Sequence, residues 1–272
     1  MIIWLASYPK SGNTLVRSML SAYFFSEDGL YNFELIKNIR QFPHGGFFMK
    51  MGVDMNDQNE TVKNYIKAQE LFNKKNSIQF LKTHSYLFNF NKNYPFTNFD
   101  NTLGVIYIVR DPRNVVTSFS KFKSLTVDKT ADFMISGTGD GLVWTNNWSV
   151  NYQSWKIFKE YQRYLLIKYE DLINKPDKTF LTILEFIHKL NKTNFELDKN
   201  KFKNVIKTTS FDYMQNLEKE KGFSESSIDK TGKKIPFFNL GPKNDWRNKL
   251  NSKVAEKLEK AFKSEMEELG YL

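Results

Sequence analysis

Ser7-Tyr8-Pro9-Lys10-Ser11-Gly12-Asn13-Thr14 is the stretch whose reading sets the fold. An apolar run over 2–6 precedes it, and Leu15, Val16, Met19, Leu20, Tyr23 and Phe24 follow at helical spacing. Strand, small polar turn and helix make an anion site, because the first N–H groups of a helix lack intrahelical acceptors and point outward. Gly12 lets the backbone approach a ligand closely, Ser11 and Thr14 add hydroxyls, and Lys10 adds charge. The lysine precedes the glycine and there is no Gly-Lys-Ser/Thr triplet, so this is not a Walker A loop. Alone, the octamer also reads as an ordinary strand-to-helix turn, and the rest of the chain has to decide.

Outward from it, the runs 78–82, 103–109 and 164–168 read as further strands. The second of these, Leu-Gly-Val-Ile-Tyr-Ile-Val, is apolar throughout, as a strand covered on both faces requires. A helix starts at Asp111-Pro112 with Val115, Val116 and Phe119 on one face, and 175–190 is a long helix with Phe180, Leu184 and Ile187 inward. Strands alternating with helices pair in parallel, so the expected fold is a three-layer α/β/α domain with a central parallel sheet, spanning 1–272 as one unit. Residues 26–77 show no clear period. The polar stretch 219–234 has too few apolar residues to order itself, and 253–269 reads as one closing amphipathic helix.

Composition narrows the partners. The 272 residues are 40% hydrophobic, enough to fill the core of one large domain, with 25 Phe, 13 Tyr and 5 Trp available for a stacking or acceptor pocket. A net charge of +10 favours an anionic partner, but lysine is spread along the chain without an arginine-rich block, so nucleic acid is not expected. The chain has no cysteine, which excludes disulfides and thiolate metal sites, and no His/Asp/Glu cluster has metal-ligand spacing. No stretch approaches the ~20 apolar residues of a bilayer span. The run 2–6 is too short and lacks the basic flank of a signal peptide, so the reading expects a cytoplasmic protein of undetermined oligomeric state.

The chemistry-bearing residues fall where the strands end, which is where an open α/β sheet binds ligands. Lys82-Thr83-His84 closes the strand 78–82, and Arg110 follows the strand 103–109 with Ser118 eight residues on, a guanidinium and a hydroxyl suited to a phosphate monoester. His44 and His188 have no such setting and read as structural. Tyr169-Glu170-Asp171 follows the strand 164–168; Thr208-Thr209-Ser210-Phe211 with Met214, and the segment 237–248 containing Gly241, complete the set.

These segments, in this order over residues 4 to 248, resemble the cytosolic-type sulfotransferases, which use 3′-phosphoadenosine 5′-phosphosulfate (PAPS) and release 3′-phosphoadenosine 5′-phosphate (PAP). The resemblance implies a P-loop-like sulfotransferase fold and in-line transfer of a sulfuryl group to a hydroxyl or amine of a small-molecule, lipid or carbohydrate acceptor. It makes His84 the general base, Lys10 the partner of the bridging oxygen and Lys82 that of the sulfuryl oxygens. It assigns the 5′-phosphate to Lys10, Ser11, Gly12, Asn13 and Thr14, the 3′-phosphate to Arg110 and Ser118, the adenine to Tyr169, Thr209 and Phe211, and a further cofactor contact to Gly241. Leu15 stands where the family carries its adenine-stacking tryptophan. Asn239-Leu240 replaces an Arg-Lys pair on the 3′-phosphate, for which Lys233, Lys234, Lys243 or Arg113 are the candidate substitutes. The acceptor pocket is expected to draw on Phe47, Phe48, Tyr86, Phe88, Trp144 and Trp148. The competing readings are a nucleotide kinase, which lacks its Gly-Lys-Ser/Thr triplet and magnesium-holding acid, and an inactive PAP- or anion-binding relative.

Overall fold

The computed structural model describes residues 1–74, 77–140, 142–228, 231–232 and 234–272. Five strands form the central sheet: β1 (Ile2–Ser7), β2 (Arg40–Gln41), β3 (Gln79–Thr83), β4 (Thr102–Val109) and β5 (Tyr164–Lys168). They lie in the order β2-β3-β1-β4-β5, every pair parallel. Parallel strands cannot be joined by tight turns, so each connection crosses a face of the sheet and both faces are covered. This is the three-layer arrangement expected from the sequence.

The alternation along β1 sorts the core into two layers. Ile2, Trp4 and Ala6 face one side, with Val105, Tyr107 and Val109 of β4, and pack against the helices Tyr65–Asn73, α2 (Pro112–Lys123), Trp148–Trp155 and α5 (Ser252–Ala261). Ile3 and Leu5 face the other side with Ile106 and Ile108, under α1 (Asn13–Phe25), α3 (Pro176–Asn191) and α4 (Phe211–Lys221). Pro112 occupies the start of α2, where its missing N–H is no loss, and the Asp111 side chain caps it by accepting from the Arg113 N–H.

Three expectations change. The expected closing helix 253–269 is two, α5 and α6 (Lys263–Glu268), parted at Phe262, whose ring is buried beside Trp148 at 5.2 Å. The described residues between 26 and 74 carry short helices and β2, because packing of Tyr65, Phe42 and Phe48 replaces periodicity as the organiser. The described part of the polar stretch after α4 is also organised. Phe223 is buried, and the Glu218 carboxylate accepts from Ser226 Oγ at 2.6 Å and from the N–H groups of Phe237 and Phe238 at 2.8 and 2.9 Å. A short antiparallel pair, Ser227–Ile228 with Lys234–Ile235, follows.

Trp4 is the centre of the first layer. Its indole lies 5.2 Å from Phe96 and 5.7 Å from Phe42, and Nε1 donates to Thr102 Oγ1 at 3.0 Å. Trp4→Ala should therefore cost about 3–5 kcal/mol, the usual range for emptying a large aromatic site. Urea denaturation should show a lower midpoint with an unchanged slope.

Candidate functional site

The carboxyl ends of β1, β3, β4 and β5 open into one cavity of about 590 Å³. Lys10, Gly12, Asn13, Thr14, Leu15, Lys82, His84, Arg110, Ser118, Tyr169, Thr209, Phe211 and Gly241 all line it. Of the catalytic and nucleotide-contacting residues that the resemblance implies, Ser11 is set back. It is fully buried beneath the loop, with its Oγ lacking a hydrogen-bond partner. Lys10, Lys82, Arg110 and Tyr169 thus meet because parallel strands place all their C-terminal ends on one edge.

The loop is held from below. The Asn13 amide donates to the Leu5 carbonyl at 2.8 Å and to Ser7 Oγ at 3.1 Å, tying the start of α1 to β1. The first helical bonds run from the Leu15 and Val16 N–H groups to the Gly12 carbonyl, so the N–H groups before Leu15 sit at the positive end of the helix. Gly12 has φ 101°, and a Cβ there would stand 2.6 Å from the Tyr169 ring. Lys10 is itself left-handed, at φ 65°, and its Nζ lies 4.0 Å from the Phe237 ring centre and 4.7 Å from that of Phe122.

His84 is fixed by β1. Its Nδ1 is 2.8 Å from the Ser7 carbonyl and 3.2 Å from Ser7 Oγ. A carbonyl only accepts, so Nδ1 carries the proton and Nε2 keeps its lone pair. Burial, and then the Lys82 charge, push the His84 pKa down to about 3, so the ring is neutral throughout the physiological range. His44 instead caps the helix Gly45–Lys50, accepting from the Gly46 N–H, and His188 meets Thr193 Oγ1 at 2.9 Å.

The site is crowded with cations. Burial and repulsion from Lys82 and Arg110 lower Lys10 to about 8, and burial, helped by Arg17, lowers Lys82 to about 8. The Arg110 guanidinium lies 4.1 Å above the Tyr169 ring and donates to the Lys10 carbonyl at 3.2 Å, while its Nε has no partner. Unpaired buried donors of this kind are what an anionic ligand satisfies. The residues present therefore fit a nucleotide with anionic groups at both ends.

Several sequence expectations shift. Arg113 is not available to a phosphate: Asp111, Glu259 at 2.6 Å and the Tyr271 carbonyl at 2.7 Å take up its guanidinium, and Trp246 covers it at 4.0 Å. Lys243 and Lys234 are exposed and do not line the cavity, and Lys233 lies outside the described residues. Lys121 and Lys123, which do line it, come from the turn of α2 beyond Ser118. None of Phe47, Phe48, Tyr86, Phe88, Trp144 and Trp148 lines the cavity; they pack in or against the core, as Phe88 and Trp144 do with ring centres 4.9 Å apart. The apolar wall is made instead by Phe119, Phe122, Phe133 and Val143. Glu225 and Arg17 were not read from the sequence, since no local pattern brings them to the loop.

Among the described residues no helix is long and apolar enough to cross a membrane, and no three metal-binding side chains gather. A family model described as a sulfotransferase domain matches residues 2–270. Sulfotransferase 2A1 of Homo sapiens is 26% identical over 180 residues, 65% of this chain but only 61% of that protein's length. Cytosolic sulfotransferase 13 of Arabidopsis thaliana is 24% identical over 97% of this chain and 76% of its own. A mouse sulfotransferase solved with PAP superposes with a TM-score of 0.60 at 18% identity, covering 97% of this chain and 84% of the other, a likeness of fold.

Gly12→Ala should destabilise the protein by about 1–3 kcal/mol, the cost of a side chain at a positive φ, and displace the Tyr169 ring. Thermal or urea unfolding checks the first effect, and the Tyr169 ring signals in an NMR spectrum check the second.

Proposed function

We propose that this chain, which belongs to the sulfotransferase domain family, transfers a sulfuryl group from PAPS to a hydroxyl of a small apolar acceptor, acting as one unit over its whole length. The observation that carries the proposal is the meeting of Lys10, Lys82 and a neutral His84 at one cavity wall. PAP in the mouse structure supports the choice of nucleotide. The apolar wall of Phe119, Phe122, Phe133 and Val143 supports an apolar acceptor. A cytoplasmic location goes with this reading, by analogy with the relative named as cytosolic.

When bound, the nucleotide supplies the sulfuryl group. The protein's part is alignment, charge and a proton acceptor. The N–H groups at the start of α1 and the Thr14 hydroxyl hold the 5′ end, and Arg110 with Ser118 holds the 3′-phosphate. Lys121 and Lys123 supply basic charge to a cavity to which Asn239-Leu240 brings none. Tyr169, Phe211 and Leu15 bound the purine. His84 Nε2 takes the acceptor proton, and the Ser7 carbonyl, fixed on Nδ1–H, steadies the imidazolium that results. Lys10 neutralises charge growing on the departing 5′-phosphate, and Lys82 draws charge from the sulfuryl oxygens. A buried ammonium whose pKa is already depressed gains most when negative charge appears beside it.

His84→Ala should lower kcat by about two orders of magnitude or more while leaving PAP affinity intact. Wild-type kcat/KM, measured as PAP release across pH 5 to 8, should show no acid limb from His84, whose free-protein pKa is about 3. Near-normal turnover in the variant removes His84 as base, and tight PAP binding by a wild type without turnover on any acceptor would mark an inactive relative.

Arg110→Ala should weaken PAP by about ten- to a hundredfold, the worth of a charge-assisted contact, and adenosine 5′-phosphate far less. Calorimetric titration of both nucleotides decides it, since only PAP carries the 3′-phosphate.

A further inference from the structure

Glu225 lies in the turn between α4 and the strand Ser227–Ile228, yet its carboxylate reaches into the anion loop. Thr14 Oγ1 donates to it at 3.2 Å and Arg17 Nη1 at 2.5 Å. Burial alone would raise the Glu225 pKa, but the charges of Lys82 and Arg17 outweigh it and hold the group at about 2, fully ionised. Arg17 does not depend on Glu225 for its place. Its Nε and Nη2 donate to the Ile39 carbonyl at 3.3 and 2.8 Å, and Nη2 reaches the Ile36 carbonyl at 3.5 Å, so only Nη1 is turned to the carboxylate. The guanidinium is therefore a preformed, buried receptor for an anion at the base of α1, one turn along from the loop.

We propose that the Glu225 carboxylate is a built-in stand-in for the 5′ anionic group of the nucleotide, seated on Thr14 and Arg17 beside Lys10 and Lys82, and that nucleotide binding expels it. The proposal rests on the nucleotide reading above and adds a residue that competes for that subsite and one, Arg17, that receives the ligand. Two anions cannot share Thr14 and Arg17 without strong repulsion. Thr14 is the last residue of the anion loop, so a 5′-phosphate on the loop meets Glu225 directly. The energetic logic is that buried cations need an anion in every state. Glu225 supplies it in the nucleotide-free protein, and displacement lowers apparent affinity by the fraction of molecules in which Glu225 has left.

Wild-type and Glu225→Gln proteins are titrated calorimetrically with PAP and with adenosine 3′-phosphate, which lacks the 5′ anion. The variant should bind PAP about tenfold tighter, as when the open form is roughly one molecule in ten, and adenosine 3′-phosphate unchanged. Unchanged or weaker PAP binding, or an equal change for both nucleotides, overturns the proposal. Hydrogen–deuterium exchange on the wild type gives a second test that needs no variant. Saturating PAP should alter exchange at residues 223–228 and saturating adenosine 3′-phosphate should not; equal effects, or none, overturn it. PAP binding to neither protein would count against the nucleotide reading itself, whereas equal binding to both counts against Glu225 alone.

Discussion

Positive charge buried at the carboxyl edge of a parallel sheet is the constraint on which this molecule depends. Lys10, Lys82, Arg110 and Arg17 all lie within or under one cavity, and desolvation depresses both lysines to about 8. Cations in such a place lose hydration that the protein cannot fully return, so the fold is only complete with an anion among them. The described residues meet that need with the Glu225 carboxylate. Stability and ligand recognition are in this sense one problem, solved by the same side chains.

The scaffold answers the complementary need for rigidity. β1 lies at the centre of the sheet with none of its residues exposed, and its Ser7 end grips both His84 and the Asn13 amide. His84 and the loop after β1 are thereby fixed to one strand terminus. On the far side, Asn244 bonds Thr117 Oγ1 at 3.0 Å and the Asn114 carbonyl at 2.9 Å, while Tyr271 bonds Glu170 at 2.9 Å. These contacts lock the C-terminal segments onto α2 and the start of the helix Tyr169–Asn174, which carry Ser118 and Tyr169. This wall of the cavity is built from late parts of the chain closing over early ones.

Much of this was legible in the sequence. The strands at 78–82, 103–109 and 164–168 end where the structure ends them or within one residue, because continuous apolar runs admit few alternatives. The anion loop, Lys82, His84, Arg110 and Tyr169 sit at strand ends, and strand ends in a parallel sheet converge whatever the intervening loops do. The apolar wall of the cavity was not legible. Phe48, Phe88 and Trp148 pack in the core without reaching the cavity, whereas Phe119, Phe122 and Phe133 line it, and all six are large aromatics with nothing local to tell them apart.

By itself, then, the sequence determined the alternation of strand and helix, an anion-suited loop after the first strand and the residues carried at strand termini, since these follow from local periodicity and short motifs. Only the tertiary structure decided which charges pair. It gave Arg113 to Asp111 and Glu259, left Arg110 stacked on Tyr169 with an unpartnered Nε, and brought Glu225 across more than 200 residues onto Thr14 and Arg17. The physical reason is that ion pairing in a buried site is set by which groups lose water together, and that is a property of packing which no local pattern encodes.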